Sequence, residues 1–128
     1  MRQKLSDENL RIKRAYEPAS RADGRRILVD RLWPRGLKKA DAKIDEWPKE
    51  IAPSTELRKW FGHDPGRWSE FQRRYKAEAR QHPEELARLR SLAKKEPLTL
   101  VYSARDETHN NAVVLRALIL QQRKPTQH

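Results

Sequence analysis

The sequence predicts a small α/β domain: a mostly parallel sheet covered by helices, folded as one compact unit over residues 1–128. Two observations predict the sheet. The runs Arg26-Ile27-Leu28-Val29-Asp30 and Leu98-Thr99-Leu100-Val101-Tyr102 are compact and apolar, bounded by Gly24 and Pro34 and by Pro97, as expected of strands buried on both faces. The long stretch between them carries helical spacing, and parallel strands need a crossover of that kind. A third observation sets the scale: 128 residues suffice for one modest core and not for two.

Taken in order, residues 1–9 are polar and expected to be a mobile tail, as are residues 124–128. Residues 10–16 mix apolar and basic side chains in a pattern that suits a short strand. Pro18, Ser20, Asp23 and Gly24 mark residues 18–24 as a turn, since each favours turn geometry and none fits a central strand. The strand at 26–30 follows and runs into the Pro34-Arg35-Gly36 turn. Residues 39–47 are expected to be helical or irregular, with Ile44 and Trp47 three apart and Pro48 limiting extension. Ser54 is placed to cap a short helix carrying Leu57, Trp60 and Phe61, which ends at Gly62. Asp64-Pro65 is a further helix start, because the carboxylate satisfies free N–H groups and proline presets φ; the helix after it aligns Trp68, Phe71, Tyr75 and Ala79. Pro83 restarts or bends it, and Leu86, Leu89 and Ala93 continue an apolar stripe to about residue 95. After the second strand, a final helix is expected from near residue 107 to about 122, with Ala112, Val113, Val114, Ala117, Leu118 and Leu120 forming its apolar side.

If the two strands are parallel, their carboxyl ends share one edge of the sheet, where ligands of open α/β sheets bind. Three clusters carry candidate chemistry, and the first and third leave the ends of the two strands. In Asp30-Arg31-Leu32-Trp33-Pro34-Arg35-Gly36, Arg31 and Arg35 offer planar donors for phosphate or carboxylate, and Trp33 offers a stacking face; the alternative is that Trp33 fills core while the arginines are surface charges. Phe61-Gly62-His63-Asp64-Pro65 sets an imidazole beside a carboxylate, an arrangement suited to acid or base work, although Asp64 also reads as a plain helix cap. Tyr102-Ser103-Ala104-Arg105-Asp106-Glu107-Thr108-His109-Asn110 joins the second strand to the last helix, with Asp106 and His109 one helical turn apart and Asp106 and Glu107 at the helix dipole. The candidate binding residues are therefore Arg31, Trp33, Arg35, His63, Asp64, Tyr102, Asp106, His109 and Asn110, with His63, Asp106 and His109 as candidates for proton transfer. Their spacing matches no recognised metal set, and neither a metal nor another cofactor is expected.

Lysine and arginine outnumber aspartate and glutamate by 29 to 18, a net charge of +11, which favours anionic partners. The chain has no cysteine, so disulfides, thiolate zinc sites and a cysteine nucleophile are excluded. It shows neither the apolar core of a signal peptide nor a membrane-length apolar run, so a cytoplasmic protein without a membrane partner is expected. Three readings follow. The first is a pocket for a small anionic ligand, a nucleotide or phosphorylated metabolite, which requires the candidate residues to converge in one concave site. The second is a nucleic-acid-binding module, and the third is a structural or interaction protein whose Trp, Arg and His residues knit core and caps.

Ile12-Lys13-Arg14, Leu28-Val29-Asp30-Arg31-Leu32-Trp33-Pro34-Arg35-Gly36, the stretch from Ala52 to Pro65 that ends Phe-Gly-His-Asp-Pro, and Asp106-Glu107-Thr108-His109-Asn110 together resemble the YeaO-like branch of a bacterial domain-of-unknown-function family. The resemblance covers nearly the whole chain and implies a single α/β domain without an agreed activity. Some relatives in the wider family carry cysteine in the last strand-to-helix loop; Tyr102, Ser103 and Thr108 in that region here carry no such thiol chemistry. Members of the branch are sometimes labelled MarR-type regulators, but this sequence shows no winged helix-turn-helix.

Overall fold

A computed structural model describes residues 9–121. Three strands, β1 (Leu10–Arg14), β2 (Arg25–Leu28) and β3 (Leu98–Tyr102), form a parallel sheet in the order β1-β3-β2. The fold class and the parallel pairing of the two apolar runs are as the sequence predicts. β3 lies in the middle, which accounts for its unbroken apolar character: all five of its residues are buried.

The strand period of two divides the side chains between two cores. Leu98, Leu100 and Tyr102, with Ile27, Val29 and Leu10, face the larger one. It is covered by α2 (Thr55–Phe61), α3 (Trp68–Ala79), α4 (Pro83–Lys95) and α5 (Asn111–Leu120). Val101, Leu28 and Ala15 face the other way, into a smaller cluster closed by Trp33, Leu37, Ile44 and Trp47. Tyr75 of α3 is fully enclosed and donates its hydroxyl to the Ile51 carbonyl at 2.7 Å, which ties the helical layer to the loop before α2. At the entrance to β2, Gly24 has φ +64°, and a Cβ there would stand 2.2 Å from the Pro97 carbonyl oxygen; any other residue is excluded both by φ and by contact.

Several boundaries differ from expectation, each for a local reason. Of the stretch 39–47, expected to be helical or irregular, only α1 (Lys39–Ala42) is helix, because Lys43 turns left-handed at φ 49°. The chain then runs alongside β2, with Asp45 and Glu46 donating their amides to the Arg26 carbonyl. Asp64 and Pro65 do start a turn, but it is a 3₁₀ turn (Pro65–Arg67), and α3 begins at Trp68. The last helix begins at Asn111 and not near residue 107, since Asp106 captures the amides of Thr108 and His109 in a side-chain turn and Asn110 becomes the cap. Asp106 and Glu107 therefore do not sit at its dipole. The first strand stops at Arg14 and the second at Leu28, although Ala15 and Val29 still donate to Tyr102 and Val101 of β3. Asn9, expected in the tail, is held: its carbonyl accepts from Leu98 and its amide donates to Ala93. Residues 1–8 and 122–128, the rest of the expected tails and the expected end of the last helix, lie outside the described residues.

Candidate functional site

All three strands point their carboxyl ends at one edge, and a cleft of about 500 Å³ opens there, within the range of small-ligand sites. The segment after β1 gives it Tyr16, the segment after β2 gives Asp30, Arg31, Leu32, Trp33 and Arg35, and the segment after β3 gives Ser103, Ala104, His109, Asn110 and Asn111. The helical layer adds Pro53, Arg58, Phe61, His63 and Phe71.

Asp30 fixes the relation between the strand ends. One carboxylate oxygen accepts from the amide and hydroxyl of Ser103 at 2.9 and 2.7 Å, the other from the Asn111 side chain at 3.1 Å. The end of β2, the end of β3 and the start of α5 are thereby locked together, and the carboxylate is already surrounded by donors. Arg31 is likewise engaged, its Nε and Nη2 donating to the carbonyls of Pro53 and Ala52 at 3.0 and 3.2 Å. Arg35 and Arg58 differ: both are exposed at the cleft, and neither guanidinium has a hydrogen-bond or ion-pair partner among the described residues.

The floor is aromatic. Phe61 and Phe71 stack at 4.4 Å between ring centres, Trp68 lies 5.7 Å from Phe71, and both imidazoles lean on this group, His63 at 6.2 Å from Phe61 and His109 edge-on to Trp68 at 5.1 Å. His63 stands at φ 58°, immediately after Gly62 at 52°, so the rim beside the arginines is built from two consecutive left-handed residues, a conformation that a histidine adopts at a cost of about 1 kcal/mol. His109 has its Nδ1 at 2.9 Å from Asp106 Oδ2. The amides of Thr108 and His109, then the His109 ring, hold the Asp106 carboxyl well below the usual carboxylate range.

Of the residues singled out from the sequence, Arg31, Trp33, Arg35, His63, His109 and Asn110 line this one cleft. Trp33 also does what its alternative reading required: its indole N–H donates to the Leu37 carbonyl at 2.7 Å and its ring packs edge-on against Trp47. Asn110 is committed to capping α5 and to the Asp106 carbonyl. Three of the set are not among the lining residues. Asp64 accepts from the Gly66 amide and pairs with Arg67 at 3.7 Å; Tyr102 is buried in the larger core; Asp106 is joined to two lining residues, to His109 by its carboxylate and to Asn110 by its carbonyl. The sequence reading missed Arg58 and Tyr16. Arg58 follows Leu57 on α2, and the apolar spacing of Leu57, Trp60 and Phe61 was a signal only for the buried face of that helix. Tyr16 is positioned by a hydroxyl donated to the Arg35 carbonyl at 2.8 Å, a contact between distant segments that no local pattern carries.

Comparison with known proteins places the chain among bacterial relatives. It is 56% identical over 107 residues to the uncharacterized protein YeaO of Escherichia coli K12, covering 84% of this chain and 93% of that one. It is 40% identical over 115 residues to uncharacterized proteins of Mycobacterium tuberculosis H37Rv and Mycobacterium bovis, covering 90% of this chain and 97% of each of theirs. No solved structure matches. The family description that fits residues 9–128 is the inactive DUF488-N3 subclade, and the chain belongs to it.

Proposed function

We propose that this protein binds a small anionic ligand, a nucleotide or phosphorylated metabolite, in the cleft at the carboxyl edge of its sheet. The observation that carries the reading is the pair of exposed guanidinium groups, Arg35 and Arg58, that line an aromatic-floored cleft and have no partner among the described residues. Arginine forks grip phosphate through two parallel charge-assisted hydrogen bonds, and the apolar floor gives the rest of such a ligand a surface to cover. Three arginines and one carboxylate line the cleft, and Asp30 is already bonded to Ser103 and Asn111. The description of the subclade as inactive agrees with a role in binding rather than turnover. No membrane partner enters the reading, and no helix among the described residues is long and apolar enough to cross a membrane.

Isothermal titration of ADP and of inorganic pyrophosphate into the protein and into Arg35→Ala and Arg58→Ala tests it. Each substitution is expected to weaken binding at least tenfold, the loss of roughly one charge-assisted hydrogen bond. Binding left unchanged by both substitutions would refute the cleft. The net charge of +11 favours the second reading, nucleic acid. If oligonucleotides alone bind, with affinity falling steeply as salt rises and with both variants behaving like the parent, the function lies on the general basic surface.

A further inference from the structure

The Asp106–His109 pair determines what kind of polar atom the cleft presents beyond its arginines. With Nδ1 2.9 Å from Asp106 Oδ2, two lone pairs would repel, so the ring hydrogen lies on Nδ1 and is donated to the carboxylate. Thr108 gives its own hydroxyl hydrogen to the other oxygen, 3.0 Å away. In the neutral ring, Nε2 is then a lone-pair acceptor. The ring is also fixed in place, between Asp106 at one nitrogen and the Trp68 ring beside it. It lines the cleft, and Nε2 has no partner among the described residues. The side-chain amides nearby are committed elsewhere, Asn110 to the Asp106 carbonyl and Asn111 to Val29 and Asp30.

The cleft is therefore lined by a side chain with an acceptor nitrogen as well as by guanidinium groups that are donors only. A phosphomonoester dianion carries no P–OH, so the phosphoryl group satisfies the arginines and offers no hydrogen to Nε2. We propose that the ligand is a phosphorylated sugar or polyol, nucleotides included, whose phosphate is held by Arg35 and Arg58 and whose hydroxyl donates to His109 Nε2. This rests on the anion-cleft reading above and narrows it to one chemical class.

The test compares ribose 5-phosphate with tetrahydrofurfuryl phosphate, which keeps the ring and the phosphate and lacks the hydroxyls. Both are titrated calorimetrically at pH 8.5. The unsubstituted protein is expected to prefer ribose 5-phosphate about tenfold, the effect of one hydrogen bond to a group otherwise left without a partner. In Asp106→Asn, the amides of Thr108 and His109 still require an oxygen at the Oδ1 position. The new NH₂ group therefore faces Nδ1, the ring hydrogen moves to Nε2, and the acceptor becomes a donor. The preference is expected to fall within twofold of unity while tetrahydrofurfuryl phosphate binds as before. His109→Phe keeps a ring against Trp68 and should lose the preference in the same way. A preference absent from the unsubstituted protein, or surviving in either variant, overturns the hydroxyl assignment alone. Failure of both compounds to bind at millimolar concentration would instead defeat the cleft reading beneath it.

Discussion

Arg26 enters β2 and Arg35 follows it, yet the first is 3% exposed and bonded to Asp23 at 2.7 Å and to the Ala42 carbonyl at 2.9 Å, whereas the second has no side-chain partner among the described residues. The difference extends to their surroundings. Toward the amino ends of the strands, Asp23 gathers Arg26, Lys13 and both the amide and the hydroxyl of Ser20. Burial tends to raise its pKa, and these donors together outweigh that and bring it below the usual carboxylate value. At the carboxyl ends, the carboxylate Asp30 is bonded to neutral donors and leaves the guanidinium groups around it uncompensated. The same residue types thus serve closure at one edge and availability at the other. A basic composition says nothing of which arginines fall in which group; partners do.

The largest effect is expected where charge is buried. Asp23→Ala strands Arg26, whose Nη2 already lacks a partner among the described residues, and breaking such a buried pair costs about 3–5 kcal/mol. Urea denaturation should show the midpoint falling accordingly. The pH dependence has a definite sign. Because the folded-state pKa of Asp23 is lowered, its contribution is complete above the unfolded carboxylate value of about 3.9 and is lost as pH falls through the folded value. Asp23→Asn should flatten the acid limb of the stability curve. An unchanged acid limb would mean that the two edges are not held differently.

This contrast also explains what was legible in the sequence. β3 and the body of β2 could be read because burial on both faces leaves a continuous apolar run, and α3 because Trp68, Phe71, Tyr75 and Ala79 repeat at helical spacing. That Arg31, Arg35 and His109 share one edge followed from one topological inference, that parallel strands bring their carboxyl ends together; His63, just after α2, did not follow from it. Where the reading failed, other partners for the backbone amides had outcompeted the helix. Asp106 took two backbone amides and delayed α5, and the segment after Lys43 joined the edge of β2 instead of extending α1. Asp23 was read only as a turn residue; its role as the centre of a buried ion cluster depends on Lys13 and Arg26 from the two strands that flank β3, and Arg58 entered the cleft through the packing of α2. Such contacts are fixed by tertiary packing, which local spacing does not encode.

A smaller effect is expected from the lock between the strand ends. Asp30→Ala removes the acceptor for Ser103 and Asn111. The group is half-buried, so the loss should be about 2 kcal/mol, less than at Asp23, because water can reach the abandoned donors. Hydrogen exchange of the Ser103 amide, which donates directly to Asp30, should accelerate with it. Slow exchange retained in this variant would show that packing, and not Asp30, joins β2 to β3.

The smallest effect on stability is expected from the two arginines at the cleft, and that small effect separates a structural role from a binding one. Removing both in Arg35→Ala/Arg58→Ala deletes no internal hydrogen bond or ion pair among the described residues, and exposed substitutions of this kind stay within about 0.5 kcal/mol. The double variant also sheds like charges from one rim, so its melting temperature should match the parent or rise slightly, most visibly at low salt where repulsion between them is least screened. If instead it loses 2 kcal/mol or more, the arginines are part of the scaffold after all. The interaction-protein reading, in which such residues knit the fold, would then gain what the anion cleft loses.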